Sequence, residues 1–276
     1  MDIYTDLTYK LSRDLTLAYS TSFGLSSKLF GPSIRHHIYA IYGLVRVTDE
    51  VVDTYTGDNP EGVLNAFEAE TYIAMTLGYS TNPIVHSFAQ TARKFHIPKK
   101  NISAFFKSMR LDLTPQTYTQ NLYETYIYGS AEVIGLMCLR VFCNNNLELY
   151  ASLEDGARAL GAAYQKVNFL RDFASDYITL HRTYFPNVDY ESFNEKTKMR
   201  IIKDINNDLY LAKKSLLGLP KTSRIAVKTS LTYYKKLLDK IERTPAHILK
   251  QKRIRINNAH KLVLLGSTIV SESFKK

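Results

Sequence analysis

Eight prolines divide the chain into segments whose apolar residues recur with helical spacing, and no other feature constrains the fold as strongly. Proline is common in the first turn of a helix and in the turn before it, so these prolines mark helix starts. The pattern predicts helices over residues 4–19, 33–55, 61–78, 83–95, 99–111, 117–144, 147–180, 191–217, 221–242 and 245–266. Strand signals are weak and no Gly-, Ser- or Pro-rich linker divides the chain. We therefore predict one all-α domain over residues 1–276.

Composition agrees with a folded helical protein. Hydrophobic residues make up 45% of the 276 residues, which suffices for a sizeable core and argues against disorder. The chain has 12 glycines and 8 prolines, too few turn formers for a sandwich of many short strands. Its two cysteines, Cys138 and Cys143, lie in an apolar stretch and are too few for a disulfide framework or a four-ligand zinc site. We expect buried thiols in a reducing compartment.

The N-terminal region bears on location. It lacks a basic segment followed by an apolar one, so no secretory signal is expected. The longest apolar run, residues 133–143, includes Arg140 and is shorter than the roughly 18 residues that a membrane span requires. The sequence therefore predicts a cytoplasmic protein without a transmembrane segment.

Positive charge is concentrated in the last third of the chain. Residues 1–190 contain 16 Lys and Arg against 19 Asp and Glu, whereas residues 191–276 contain 20 against 7. Such a region favours anionic partners, including lipid head groups and phosphorylated substrates, although lysines spread singly also suit a solvated helical surface. No helix-turn-helix, zinc-finger or RNP pattern accompanies them, so nucleic acid is not an expected partner.

Two predicted helices each present a polar stripe. The first stripe consists of Tyr42, Arg46, Asp49 and Asp53, spaced four, three and four residues apart. The second consists of Gln165, Asn168, Asp172 and Asp176, spaced three, four and four. Residues at these intervals share one face of a helix. Arg171 lies beside the second stripe, and Gly161, one turn before it, allows close approach of a ligand or backbone.

Each stripe taken alone has an ordinary explanation. Its aspartates could be solvated charges or form salt bridges with Arg46 or Arg171 on the same helix. Two such stripes on facing helices have a different meaning, because hard oxygen ligands on opposite walls suit Mg²⁺ that shares its shell with phosphate oxygens. Such a site would hold a diphosphate and neutralise its charge.

Four motifs resemble the squalene and phytoene synthase family, the head-to-head prenyl diphosphate synthases. They are STSF at residues 20–23, DEVVD at 49–53, QKVNFLRDFASD at 165–176 and YFP at 184–186. Their order and spacing also match, and the resemblance extends from about Ser20 to Arg255. It implies an all-α bundle of the isoprenoid synthase type around a deep apolar channel, with both Asp motifs at the mouth.

The resemblance also assigns roles to residues. It implies that Mg²⁺, or alternatively Mn²⁺, is bound by Asp49, Asp53, Asn168, Asp172 and Asp176. It implies a catalytic group of Tyr42, Arg46, Tyr126, Arg171 and Tyr184. It implies substrate binding by Ser20, Ser22, Phe23, Gln165 and Arg255, with Arg253 as a close competitor of Arg255. The arginines would bind diphosphate and the tyrosine rings would stabilise carbocations.

One position departs from the family pattern. Members commonly have an Ala-Gly pair in the helix of the central tyrosine, whereas here Ala131 precedes Glu132; Gly135 is retained. Glu132 could face solvent or a basic neighbour, or it could point inward and add a carboxylate to the channel.

The function that the resemblance implies is condensation of two prenyl diphosphates through a cyclopropylcarbinyl diphosphate. We expect two geranylgeranyl diphosphates to yield phytoene, and peripheral contact with an anionic membrane surface. The alternatives are dehydrosqualene or squalene synthesis from farnesyl diphosphate, with NADPH required only for squalene, and a non-catalytic helical assembly protein of the same fold. A head-to-tail prenyltransferase or terpene cyclase would show a DDxxD or NSE-type motif, and neither is present.

Overall fold

The fold is known from a computed structural model that describes residues 2–114, 117–180 and 182–257. Its helices are α1 (Ile3–Tyr19), α2 (Thr21–Ser27), α3 (Pro32–Asp53), α4 (Pro60–Leu77), α5 (Pro83–Lys94), α6 (Lys99–Leu111), α7 (Gln120–Ile127), α8 (Val133–Cys143), α9 (Leu147–Leu180), α10 (Glu195–Ser215), α11 (Lys221–Arg243) and α12 (Ala246–Leu249). A π-helical turn (Tyr128–Glu132) joins α7 to α8, and a 3₁₀ turn (Leu216–Gly218) follows α10. Within those ranges there is no β-strand, only an isolated bridge between Thr117 and Thr183. The all-α prediction is confirmed.

Local chemistry explains the helix starts. Three prolines occupy the first turns of α3, α4 and α5, where a missing N–H costs no hydrogen bond. The side chains of Asn59, Asn82 and Asn194 accept backbone N–H bonds at the starts of α4, α5 and α10. Gly78 ends α4 in the left-handed region, at φ 74°.

The structure differs from the predicted helices in several places. The short helix α2 was not expected, because residues 20–31 lack a full helical period. The helix predicted from residue 191 begins at Glu195, since Asn194 supplies its cap. The helix predicted over 117–144 begins at Gln120 and contains the π-helical turn, where a Cβ on Gly129 would lie 2.2 Å from the Ala104 carbonyl oxygen of α6. The helix predicted over 245–266 ends at Leu249, and its last nine residues lie outside the described part of the chain.

The helices form a single bundle around α9. Its neighbours are α8, α10, α11 and the π-helical turn, while α3 packs on α1, α5 and α8. Phe88, Phe95, Phe105 and Phe106 are each under 2% exposed and anchor the core on the α5–α6 side. This packing leaves a central cavity of about 910 Å³, near the upper end of the range for ligand sites.

One helical run has the length and composition of a membrane span. It is the continuous stretch Gln120–Cys143, longer than the run that the sequence singled out. However, 67% of the 18-residue apolar window within this stretch is buried inside the protein, where the stretch forms a wall of the cavity. Its apolar character is that of a core helix.

Candidate active site

The cavity has a polar end and an apolar end. Along α3 its lining runs from Asp53 to Ile38, and along α9 from Asp176 to Leu153, which correspond to about 22 Å and 34 Å of helix. Acids and arginines therefore gather at one end, and the opposite end is closed by aromatic and aliphatic side chains. Phe30 and Phe142 stack there with ring centroids 5.3 Å apart.

The α3 stripe forms one wall of the polar end. Arg46 pairs with Glu50 and lies 3.7 Å from Asp49, while its guanidinium carbon lies 4.5 Å from the ring centroid of Tyr19. The buried Nε of Arg46 has no hydrogen-bond partner in the described part of the chain. Burial raises the pKa of Asp49 to about 7, and the charges of Asp53 and Asp112 act in the same direction. This wall therefore holds an unpartnered donor and a carboxylate that is costly to ionise.

The α9 stripe forms the facing wall. Asp172 pairs with Arg171 at 2.6 Å and with Arg253 at 2.7 Å, and Asn168 accepts a bond from Tyr234 at 3.4 Å. Burial raises the pKa of Asp176 to about 7, and the charge of Asp172 adds to this. Both walls thus combine arginines with carboxylates that repel one another.

A buried carboxylate that the sequence did not indicate connects the two walls. Asp112 accepts hydrogen bonds from the hydroxyls of Tyr126 at 2.6 Å and Tyr184 at 3.3 Å. Arg182 donates to the Asp112 carbonyl oxygen at 2.6 Å and lies 3.4 Å from the carboxylate of Asp53. Both residues follow helix ends, outside any periodic pattern, so no spacing signal could have identified them.

The predicted substrate-binding residues differ in how the structure places them. Phe23 stacks on Tyr42 at 5.1 Å, and the side chain of Ser20 caps α2 beside the cavity. Gln165 lines the cavity. The side chain of Ser22 lies outside what the structure describes.

The two C-terminal arginines both line the cavity. Arg253 contacts Asp172, while the carbonyl oxygen of Arg255 accepts a bond from Lys240 at 2.6 Å. Between them, the N–H of Ile254 donates to the carbonyl oxygen of Arg171 at 3.2 Å, which holds this segment across the polar end. The segment is not helical where a helix was predicted, and it places Arg253 beside the second acidic motif.

Glu132 points away from the cavity. It pairs with Arg158 of α9 at 2.7 Å, and it is not among the cavity-lining residues, whereas its neighbours Ala131 and Gly135 are. Glu132 therefore faces a basic neighbour, which was the first of the two alternatives, and it adds no carboxylate to the channel.

The carboxylates supply the oxygen ligands that a divalent cation requires, and arginine side chains pair with several of them. All five candidate ligands offer oxygen, the donor that Mg²⁺ prefers. In residues 2–114, 117–180 and 182–257, no three His, Cys, Asp or Glu side chains lie close enough together to bind one ion. Arg46, Arg171, Arg182 and Arg253 instead partner the aspartates. Such walls suit small hydrated cations shared with a polyanion, because Mg²⁺ keeps much of its water and takes phosphate oxygens as ligands.

Comparison with known proteins agrees with this site. The chain belongs to the squalene/phytoene synthase family, whose model matches residues 16–260, and it is accordingly a prenyltransferase. It is 28% identical to the phytoene synthase of Arthrospira platensis, over 89% of this chain and 87% of that one. It is 28% identical to the 15-cis-phytoene synthase of Synechocystis sp., over 85% and 76%. A crystal structure of a dehydrosqualene synthase in complex with ligand shares the fold, with a TM-score of 0.83 and 18% identity over 98% of each chain.

Proposed function

We propose that this chain joins two geranylgeranyl diphosphates head to head to form phytoene, a carotenoid precursor. The observation that carries the proposal is a cavity whose arginine- and carboxylate-lined end opens into a long apolar chamber. Two diphosphate heads fit the first, and prenyl tails fit the second. Phytoene synthases among the relatives, matched over most of the chain, support the choice of product.

The first step is ionisation of the donor. Arg46, with its unpartnered Nε, and Arg171 and Arg253 on the facing wall would donate to diphosphate oxygens, which weakens the bond between C1 and oxygen. Mg²⁺, or Mn²⁺, held by Asp49, Asp53, Asn168, Asp172 and Asp176 would supply further charge neutralisation to the leaving group. Raised pKa values at Asp49 and Asp176 indicate carboxylates that a nearby cation would stabilise in the ionised form.

Carbon–carbon bond formation follows in the zone of the tyrosines. The allylic cation is attacked by the double bond of the second substrate, and loss of a proton closes the cyclopropane. A second ionisation releases the remaining diphosphate, and rearrangement with loss of another proton leaves the central double bond. The rings of Tyr42, Tyr126 and Tyr184 line this zone and would stabilise the cations, while Asp112 fixes two of their hydroxyls.

The apolar chamber keeps water from the cations. Its walls are aliphatic and aromatic side chains from α3, α8, α9 and α11, and a dry chamber prevents quenching by water. All four motif aspartates and both motif arginines are present, which argues against a non-catalytic assembly protein.

The proposal places the reaction in the cytoplasm, at an anionic membrane surface. Cys138 and Cys143 are free cysteines, a state that a reducing compartment maintains. The basic last third supports electrostatic contact with lipid, which is worth about 1 kcal/mol for each nearby Lys or Arg.

Product analysis tests the proposal and its alternatives. The enzyme is incubated with Mg²⁺ and either geranylgeranyl or farnesyl diphosphate, each with and without NADPH, and products are identified by mass spectrometry. We expect phytoene from geranylgeranyl diphosphate without NADPH. Dehydrosqualene as the main product, or squalene formed only with NADPH, would replace the proposal with one of the farnesyl alternatives.

A further inference from the structure

The outer face of α10 is both cationic and apolar. Its exposed cations are Lys196, Arg200, Lys203, Lys213 and Lys214. Among them stand Met199, Tyr210 and Leu211, and Leu217 of the adjoining 3₁₀ turn is 74% exposed. Tyr210 is 59% exposed, and its ring lies 4.5 Å from the Nζ of Lys214. We name these nine residues the α10 face.

The acids of α10 do not neutralise this face. Glu195 pairs with the buried Lys198 at 2.7 Å, and Asp204 and Asp208 both pair with Lys166 of α9, at 2.5 and 2.8 Å. Each carboxylate is therefore directed toward a lysine that is itself buried. The cations of the α10 face remain in clear excess.

The exposed apolar stripe of α1 shows what sets the α10 face apart. Ile3, Leu7 and Leu11 are exposed one turn apart, so that helix also offers an apolar surface to solvent. Its side chains carry no excess of positive charge, because Asp2, Asp6 and Asp14 outnumber Lys10 and Arg13. Apolar exposure occurs on both helices, but it is combined with excess positive charge only on α10.

The α10 face lies directly behind the apolar end of the cavity. Ala212 and Ser215 of α10, and Leu216 and Leu219 beyond it, line that end. Ala212 and Leu216 are buried on the side of the helix opposite to Tyr210 and Lys214. A helix is about 10 Å across, so a surface docked on the α10 face would lie about that far from the chamber floor.

We propose that the α10 face docks on the surface of a bilayer rich in anionic lipid. Basic side chains interleaved with exposed apolar ones are the pattern of helices that lie in a membrane interface, where cations meet lipid head groups and apolar side chains enter the acyl boundary. Docking turns the diphosphate end toward water and the chamber floor toward lipid. A corollary, which rests on the proposed function, is that the hydrocarbon product leaves past the 3₁₀ turn into the bilayer.

Vesicle flotation tests the docking without any need for activity. Wild-type protein is mixed at low salt with vesicles of phosphatidylcholine alone or with 30% phosphatidylglycerol. The test variants are Lys203→Glu/Lys213→Glu, which reverses two charges, and Tyr210→Ser/Leu217→Ser, which removes the apolar contacts. Their matched controls are Lys100→Glu/Lys107→Glu on exposed positions of α6 and Ile3→Ser/Leu7→Ser on α1. Circular dichroism confirms that each variant is folded.

We expect wild type to bind only the anionic vesicles and to dissociate in high salt. The charge-reversed α10 variant should bind about 30-fold more weakly or worse, since two lysines contribute about 1 kcal/mol each. Binding that is lost equally in the α6 control, lost in the α1 control instead, or absent in wild type would overturn the proposal. Capture by an acidic polypeptide without vesicle binding would overturn it too.

Turnover separates docking from product release. Anionic vesicles should raise the steady-state rate of the wild type several-fold and leave the α10 variants unchanged. If vesicles bind through the α10 face but do not change turnover, the docking stands and the release route is wrong. If no phytoene forms in any sample, the proposed function fails while the flotation result is unaffected.

Discussion

The carboxylate of Asp112 accepts a 2.6 Å hydrogen bond from the hydroxyl of Tyr126, which belongs to the next helix along the chain. Asp112 follows the last residue of α6, and Tyr126 lies near the end of α7. The same carboxylate binds Tyr184, whose ring stacks on Phe169 at 4.0 Å. One buried acid therefore fixes two of the three tyrosines proposed to stabilise cations.

Replacement of that acid should impair turnover more than stability. In Asp112→Asn the amide cannot accept from both hydroxyls as the carboxylate does, so the rings lose their fixed positions. We expect kcat to fall about 100-fold, the typical consequence of a small misplacement of catalytic groups. Burial raises the pKa of Asp112 to about 6, so the ionised carboxylate is disfavoured in the folded state near pH 7, and loss of its charge should partly offset the loss of its hydrogen bonds in the free energy of unfolding.

The control for this variant is Tyr123→Phe, one turn before Tyr126 and outside the cavity lining. Its kcat should stay within about twofold of wild type, as expected for a side chain remote from substrate. Equal losses in the two variants would assign Asp112 a purely structural role.

Activity should depend on a divalent cation. We expect excess chelator to abolish turnover and Mg²⁺ to restore it. Asp49→Asn and Asp172→Asn should each lower kcat by about 1000-fold or more with unchanged helical circular dichroism, because each removes a charged ligand that supports the leaving group. Asp58→Asn, in the exposed turn before α4, is the control and should retain full activity. Full turnover in chelator would contradict the metal assignment.

The stacked pair Phe30 and Phe142 should help to set the preferred tail length. Phe142→Leu deepens the floor, so the ratio of kcat/KM for geranylgeranyl over farnesyl diphosphate should rise by about tenfold, the scale of one or two methylene contacts. Phe95→Leu changes a ring that is also buried but lies outside the cavity, and it should leave that ratio unchanged. Both variants should lose about 1 kcal/mol of stability. The same shift in both would show that loosening of the core, and not floor shape, governs selectivity.

His37, far from the acidic motifs, should contribute a loss of stability in acid, which is opposite in sign to the contribution of the carboxyls whose pKa values are raised. Burial lowers the pKa of His37 to about 2 from 6.5, and the charges of His36 and Lys94 add to this. Lys94 can only donate, so its Nζ, 3.2 Å from Nε2, requires a neutral ring whose Nδ1–H faces Thr91. Below pH 6.5 the unfolded chain binds a proton that the folded protein does not, so stability falls by about 1.4 kcal/mol per pH unit from this group.

Urea unfolding between pH 5 and pH 7.5 measures this slope. His37→Gln should remove this contribution to the slope and cost about 1–3 kcal/mol at pH 7.5, because the buried hydrogen bonds of the ring to Thr91 and Lys94 are lost. His247→Gln, on an exposed position of α12, is the control and should keep the wild-type slope. An unchanged slope in His37→Gln would show that another group titrates.

The predictable part of the site consists of residues that share a helix. Helical spacing alone placed Asp49 and Asp53 on one face, and likewise Asp172 and Asp176, since that geometry depends only on local sequence. The approach of the two faces followed from the family resemblance. Glu132, left open at first, pairs with Arg158, 26 residues away on the next long helix.

The remainder depends on tertiary contacts that no local pattern encodes. Arg182 contacts Asp53 across 129 residues of chain, and Asp112 and Arg182 both lie just outside the helices. Arg253 contacts Asp172 because the chain after α12 leaves the helix and Ile254 donates to the Arg171 carbonyl oxygen, where apolar spacing had predicted a longer helix. In such cases tertiary packing overrides local preference.

Mixed-isotope labelling tests the central claim, that one product molecule contains two identical prenyl units, most directly. The enzyme is given an equimolar mixture of unlabelled and fully deuterated geranylgeranyl diphosphate with Mg²⁺, and the C40 hydrocarbon is analysed by mass spectrometry. Condensation predicts three phytoene masses in binomial proportions, with the half-labelled species most abundant. Only C20 products at the two parental masses, as hydrolysis or cyclisation of a single substrate would give, would contradict the account.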